Sequence, residues 1–214
     1  LWTPSRKVLN TLQHLMHTRS RLIRAIKALE KPIKELKAVE DGFHAAMLQK
    51  ACKKSIKALQ VDLKEVEKNI KETMKEDDVL RKLFAIVTSV PGMGFVSTCT
   101  LLFYSGAFER ITHAKSMACY AGIAPFEPSS GSSIRGRSRV SHYANKEMKT
   151  ALHLSALAVM RTKGPFRDYF DRKVAEGKHK MAVINALRNK LIHTIYACVR
   201  KQVFYDKNYQ NSLA

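Results

Sequence analysis

The chain has 214 residues, enough for one fairly large domain or two small ones, and its 45% apolar content can bury a sizeable core. Lys and Arg total 38 against 18 Asp and Glu, a net charge of +20, while 26% charged residues do not make a low-hydrophobicity disordered chain. The cationic excess argues against an electrostatically neutral enzyme of small metabolites and for a polyanionic partner: nucleic acid, or less readily an anionic membrane face.

Residues 5 to about 76 read as long helices. Thr3 followed by Pro4 suits a helix start, a cap residue with proline at the first helical position. Apolar residues then fall at Val8, Leu12, Leu15, Leu22, Ile26, Leu29, Ile33 and Leu36, with Arg19 filling one heptad seat. Pro32 is expected to kink or end this helix, and Asp41-Gly42 signals a turn. A second heptad run follows at Cys52, Ile56, Leu59, Leu63, Val66 and Ile70, with Lys and Glu between the seats. The pattern predicts an antiparallel coiled-coil hairpin over 1–76 that dimerises. Its charged faces are either simply solvated or a nucleic-acid-binding surface.

From Asp77 the texture changes to short helices, expected at about 78–89, 95–105, 113–121, 144–162, 165–176 and 180–203. The stretch Leu83 to Phe108 carries no charge and is long enough to suggest a membrane span, but Pro91, Gly92 and Gly94 break it into halves too short to cross a bilayer. No membrane partner is expected. Strand patterns are scarce, with one candidate ribbon around Ser132 to Ser141. The stripes Met148, Leu152, Ser155, Val159 and Ile184, Leu187, Leu191, Ile195, Val199 read as core. The fold class is mainly α: the long hairpin, then a compact helical domain over 77–214 with a helix-hairpin-helix-like element at 83–105 and a basic loop or short β-ribbon at 126–143. Cys52, Cys99, Cys119 and Cys198 lack the C-x-x-C spacing of a zinc knuckle and read as reduced, mostly buried thiols of a cytosolic protein. No apolar leader opens the chain, and it begins without Met, as a piece cut from something longer would.

Two segments carry chemistry. In the first, Val90-Pro91-Gly92-Met93-Gly94 joins two apolar helices in the pattern of the helix-hairpin-helix modules of DNA-binding proteins. Glycines at Gly92 and Gly94 allow close backbone approach, and the amides opening the next helix can receive a phosphate oxygen. The same residues would equally make an ordinary tight turn. The second is the serine- and arginine-rich segment 125–143. Arg135, Arg137 and Arg139 alternate, so a ribbon would place the three guanidinium groups on one face, where they suit phosphate; Lys146 and Lys149 follow, and Asn145 lies beside them. Ser130-Gly131 in this cationic loop is either a turn or a nucleophile whose developing charge the arginines would offset. His142 is either a phosphate or structural contact or the nearest base.

Taken with V-P-G-M-G-F-V-S at 90–97, F-E-R-I…A-K-S-M-A-C-Y-A-G-I-A-P at 108–125, S-S-G-S-S-I-R-G-R-S-R-V-S…A-N at 129–145, A-L-H-L-S-A-L-A at 151–158, P-F-R-D-Y-F at 165–170 and K-H-K-M-A-V-I-N-A-L-R-N-K-L at 178–191, the chain resembles the C-terminal portion of insertion-sequence-110-family transposases and the related site-specific DNA invertases. The resemblance implies DNA transposition or site-specific recombination through a serine that attacks the phosphodiester. Ser130 matches that serine, and Ser129 is the alternative because the S-S doublet shifts the register by one. It implies an N-terminal RuvC-like domain, absent from these residues, holding a divalent metal such as Mg, with no cofactor in the present chain. It also implies DNA and a structured guide RNA as partners, a homo-oligomer assembled through the coiled coil, and a bacterial, cytoplasmic, nucleoid-associated location. A non-catalytic architectural nucleic-acid-binding protein and a plain oligomerisation module are the alternatives.

Overall fold

The two heptad runs fall on two long helices that fold back on each other. The structure, a computed structural model, describes residues 6–39, 42–124, 129–130, 134–135 and 143–208, with the backbone alone at 129, 130, 134 and 135. Contacts divide the chain into two units, Leu1–Asp77 and Asp78–Ala214.

The first unit is α1 (Lys7–Ala38) packed on α2 (Gly42–Glu76). Cross-helix pairs fix an antiparallel register: Arg6 with Asp77, Arg19 Nε donating to Glu67 Oε1 at 2.9 Å, and Lys37 Nζ donating to Gln49 Oε1 at 3.0 Å. The predicted seats of both runs are buried or half-buried, and Leu12, Ile33 and Ile70 are the most enclosed of them. The polar seat Arg19 is thus answered by a carboxylate from the facing helix. Pro32 neither ends the helix nor starts a new one; α1 runs through it. Proline forfeits its own donation to the carbonyl four residues back, and its ring crowds that carbonyl. Ile33, at 7% exposure, and its apolar neighbours hold that turn against α2. Thr3, Pro4 and Asp41 lie outside the described residues; α1 is capped instead by Arg6, without a side-chain hydrogen bond.

In the second unit α8 (Lys180–Lys201) is the hub, touching α3 (Asp78–Ser89), α5 (Ala114–Tyr120), α6 (Lys146–Val159) and α7 (Pro165–Ala175); α4 (Phe95–Ser105) bridges α3 and α6. Both predicted stripes on α6 and α8 face this core, and Leu187, Leu191, Ile195, Leu152 and Met148 are fully buried. Each such side chain contributes about 1.5–3 kcal/mol of burial. The free thiols of Cys99 and Cys198 join the core, while Cys52 and Cys119 are half-buried. Helix α4 ends in a left-handed run of Gly106, Ala107 and Phe108 at φ 65°, 55° and 66°. Packing holds the two non-glycine residues there: the Phe108 ring meets Tyr196 edge-on at 4.9 Å, and Tyr196 donates to the Ile111 carbonyl at 2.8 Å.

Strands β1 (Ser129–Ser130) and β2 (Ile134–Arg135) pair antiparallel, Ser129 opposite Arg135 and Ser130 opposite Ile134. The pair falls within the expected 126–143; β2 lies inside the narrower candidate 132–141, and β1 lies just upstream of it, so the serine doublet is itself a strand. Among the described residues no helix is long and apolar enough to cross a membrane; the stretch from Leu83 to Phe108 is folded into α3, a turn and α4.

Candidate nucleic-acid interface

The turn between α3 and α4 is built by its sequence. Met93 N donates to the Val90 carbonyl at 3.1 Å, Pro91 occupies the second position, and Gly92 the third at φ 81°, a type II turn. A Cβ on Gly92 would lie 2.5 Å from the Ser155 carbonyl oxygen and 2.6 Å from Val159 Cγ1. Gly92 is therefore the point at which the hairpin seats against α6. Gly94 is different: it is exposed, has open space where a Cβ would go, and caps α4 with an extended backbone and no side-chain bond. The first intrahelical bond of α4 runs from Thr98 N to the Gly94 carbonyl, so the preceding turn presents amides as at any helix start. This end of the hairpin, rather than Gly92, can receive an anion without displacing core.

The serine-arginine segment leaves after α5 and returns into α6. Its return is pinned at Asn145, whose Oδ1 accepts from Met148 N at 2.8 Å, whose Nδ2 donates to Tyr120 Oη at 3.0 Å, and whose backbone N donates to the Tyr120 carbonyl at 2.9 Å. Beside this pin Tyr104 donates to Glu147 Oε2 at 2.7 Å and packs at 5.9 Å from the Tyr120 ring. Burial is the main reason the Tyr104 phenol is pushed up to about 12; Asn145 opposes the shift and Glu147 adds to it. Its departure is pinned by Asn185 Nδ2 of α8, which donates to the Ile123 carbonyl at 3.0 Å. The segment thus springs from a fixed base formed by α5, α6 and α8. The field around that base is positive: 21 of the 38 Lys and Arg but only 8 of the 18 carboxylates fall in residues 78–214, a net +13 there. Among the described residues, no group of three or more His, Cys, Asp or Glu is placed to hold a metal ion, so no step is routed through one here.

Residues 84–171, which take in both the hairpin and the serine-arginine segment, match the family described as "Transposase IS116/IS110/IS902 family". This stretch is similar to the transposase domain of that family. Relatives agree with it. The chain is 36% identical over 125 residues to the "Insertion element IS110 uncharacterized 43.6 kDa protein" of Streptomyces coelicolor, covering 58% of this chain and 30% of that protein. It is 32% identical over 124 residues to the "Pilin gene-inverting protein" of Moraxella lacunata, covering 58% of this chain and 38% of that one. To the "Insertion element IS116 uncharacterized 44.8 kDa protein" of Streptomyces clavuligerus it is 29% identical over 148 residues, 69% of this chain and 36% of that protein. The match spans about a third of the length of these curated relatives.

Within the matched stretch the sequence-predicted site residues separate into three groups. Ser129, Ser130 and Arg135 lie on the paired ribbon, Ser129 directly across from Arg135. Gly131, Arg137, Arg139 and His142 lie outside the described residues. Pro91, Gly92, Gly94, Asn145, Lys146 and Lys149 are placed, and of these Gly92 and Asn145 have packing and capping duties that sequence reasoning did not anticipate. Lys146 is exposed and Lys149 half-buried, on the first turns of α6. Two residues escaped the sequence reading altogether. Arg188 of α8, outside the matched stretch, is 7% exposed, and His153 of α6 has its Nδ1 buried. The available signal was a guanidinium set among Ile184, Leu187 and Leu191, in a stripe otherwise apolar.

Proposed function

We propose that this chain is the DNA-handling part of a transposase or site-specific recombinase, and that Ser130, or Ser129 one residue before it, is the nucleophile. The carrying observation is that the transposase match at 84–171 encloses the serine-arginine ribbon. Relatives named as pilin gene-inverting proteins support rearrangement of DNA as the reaction. In the proposed step the serine Oγ forms a bond to phosphorus, the bond from phosphorus to the departing strand oxygen breaks, and the serine proton passes to that oxygen. A hydroxyl of the incoming strand then displaces the serine, which regains a proton. The number of phosphate ester bonds is unchanged at each step, so no hydrolysis and no external energy source are needed.

Arg135, Arg137 and Arg139 would neutralise charge on the attacked phosphate, aided by Lys146, Lys149 and His142. The turn at Pro91–Gly94 would hold a second stretch of backbone through the amides opening α4. The proposed divalent metal, Mg, belongs to the RuvC-like domain that the resemblance implies. A structured guide RNA would share the positive surface with DNA. The antiparallel hairpin α1–α2 would pair with a second copy. The test is Ser130→Ala in the full-length protein: loss of inversion or transposition with retained DNA binding is expected, and rearrangement at normal frequency refutes the assignment. A covalent protein–DNA adduct on a nicked substrate should form with the wild type and not with the variant. The 214 residues alone should bind nucleic acid without recombining it.

A non-catalytic architectural role is the second reading. It is favoured by the structural duties of Gly92 and Asn145, which explain part of the motif without chemistry. Absence of the adduct under conditions where DNA binds would select it.

A further inference from the structure

Burying a guanidinium is expensive unless something pairs with it. Arg188 is more than nine-tenths buried, and its Nε has no hydrogen-bond partner. Among the described residues nothing pairs with this side chain through a hydrogen bond or a carboxylate. It is not alone. His153 Nδ1 on α6 and Asn189 Oδ1 on α8 are likewise buried and unpartnered, and α6 packs directly on α8. Burial first, then the Arg188 charge, holds the His153 imidazole below its usual value, and burial alone lowers the guanidinium. Arg188 Nε and His153 Nδ1 are thus left unanswered where α6 packs on α8, and the unpartnered Asn189 Oδ1, an acceptor, pairs with neither.

The position of this cluster says what would answer them. Asn185, one helical turn before Arg188, grips the Ile123 carbonyl at the point where the serine-arginine segment leaves α5. On α6, Lys146, Lys149 and His153 follow at spacings of three and four, so they share one face, grading from exposed lysine to half-buried imidazole. Lys146 and Lys149 therefore lie on the same face of α6 as His153. We infer that Arg188, with His153, forms an anion subsite at the α6–α8 seam that takes one phosphate of a bound nucleic acid strand, with Lys149 and Lys146 taking the phosphates outside it. Arg188 Nε and its fork would donate to the phosphate oxygens, and the His153 Nδ1–H tautomer would add a third donor. This site deepens the nucleic-acid reading above and rests on it, but it makes no use of Ser130.

The experiment compares wild type, Arg188→Met and Arg188→Lys as the intact chain. Thermal melts are recorded in sodium chloride and in inorganic phosphate at matched ionic strength. Binding of a fluorescent single-stranded oligonucleotide is followed across a salt series. Phosphate strengthens burial generally, so the difference between proteins is what is read. In chloride, Arg188→Met should melt no lower than wild type, because it removes a charge that nothing neutralises. Phosphate should raise the melting temperature of wild type more than that of Arg188→Met. The variant should bind the oligonucleotide about tenfold more weakly, with the slope of log affinity against log salt reduced by about 0.7. Arg188→Lys should fold and still lose most of the phosphate effect, since an ammonium lacks the fork.

A lower melt for Arg188→Met in chloride would make the residue a structural strut and overturn the inference. So would an equal phosphate shift in all three proteins, or an unchanged affinity and salt slope. If wild type itself fails to bind the oligonucleotide at low salt, the broader nucleic-acid reading falls; if wild type binds and the variants bind equally, only the subsite falls.

Discussion

Replacing Gly92 by alanine tests how the hairpin is seated, and the size of the effect follows from two terms. At φ 81° the backbone sits in the left-handed region, where a Cβ costs about 1–2 kcal/mol. The new methyl would also lie 2.5 Å from the Ser155 carbonyl and 2.6 Å from Val159 Cγ1. Neither neighbour yields easily: the first is helix backbone and the second is a β-branched side chain with 1% exposure. Overpacking of this kind adds about 1–3 kcal/mol. The expected loss is therefore about 2–5 kcal/mol, a large fraction of the roughly 5–15 kcal/mol that holds a domain folded. Helical signal from α1 and α2 would blur a circular-dichroism melt, so the assay is hydrogen exchange read on α4 and α6 peptides. Amides there should exchange at least about thirtyfold faster in Gly92→Ala, at roughly tenfold per 1.4 kcal/mol. Gly94→Ala is the control, since its Cβ meets nothing within 4 Å and its φ is −85°. It should stay within about 0.5 kcal/mol of wild type. If Gly92→Ala exchanged like Gly94→Ala, the seating of the turn on α6 would be wrong.

Two further outcomes are expected. Asn145→Ala removes the α6 cap and the Tyr120 contact together, and should destabilise the second unit by about 1–2 kcal/mol in urea unfolding, whereas Asn145→Asp should recover the cap part. His153 is held below its usual value in the folded protein, so the unfolded chain binds a proton more readily. Its contribution is fully present above about pH 6.5 and is lost as pH falls through the folded value; His153→Gln should flatten that limb of the stability profile, and an unchanged profile would remove His153 as its source.

How much of this was legible depends on whether a residue's neighbours in sequence decide its role. The seats from Val8 to Leu36 and from Cys52 to Ile70 repeat every three or four residues, so periodicity alone placed them. Helices α3, α4, α7 and α8 begin and end within about two residues of expectation, since Pro91, Gly94, Gly164, Pro165 and Gly177 punctuate them. Pro32 does not end α1, because local propensity is outweighed by a neighbouring helix, which sequence adjacency does not display. Strand β1 at Ser129–Ser130 was not foreseen because a tract of serines and arginines offers no apolar alternation to fix a register. Gly92 and Asn145 were read as ligand-binding because their motifs suggest it, yet their partners, Ser155, Val159 and Tyr120, lie 25 or more positions away in the chain. Arg188 was missed for the same reason: an arginine in an amphipathic helix looks solvated until the opposing helix is known.

The hub position of α8 has a consequence for biogenesis. Helices α3 to α7 emerge from the ribosome before the element that all but α4 among them lean on, so their apolar sides stay uncovered until residues 180–201 have been made. Completion of the second unit therefore waits for α8, whereas the α1–α2 hairpin can close as soon as its own second helix is synthesised. A nascent chain stalled before Lys180 would display a finished hairpin beside an unfinished, sticky remainder, a natural target for chaperones and proteases.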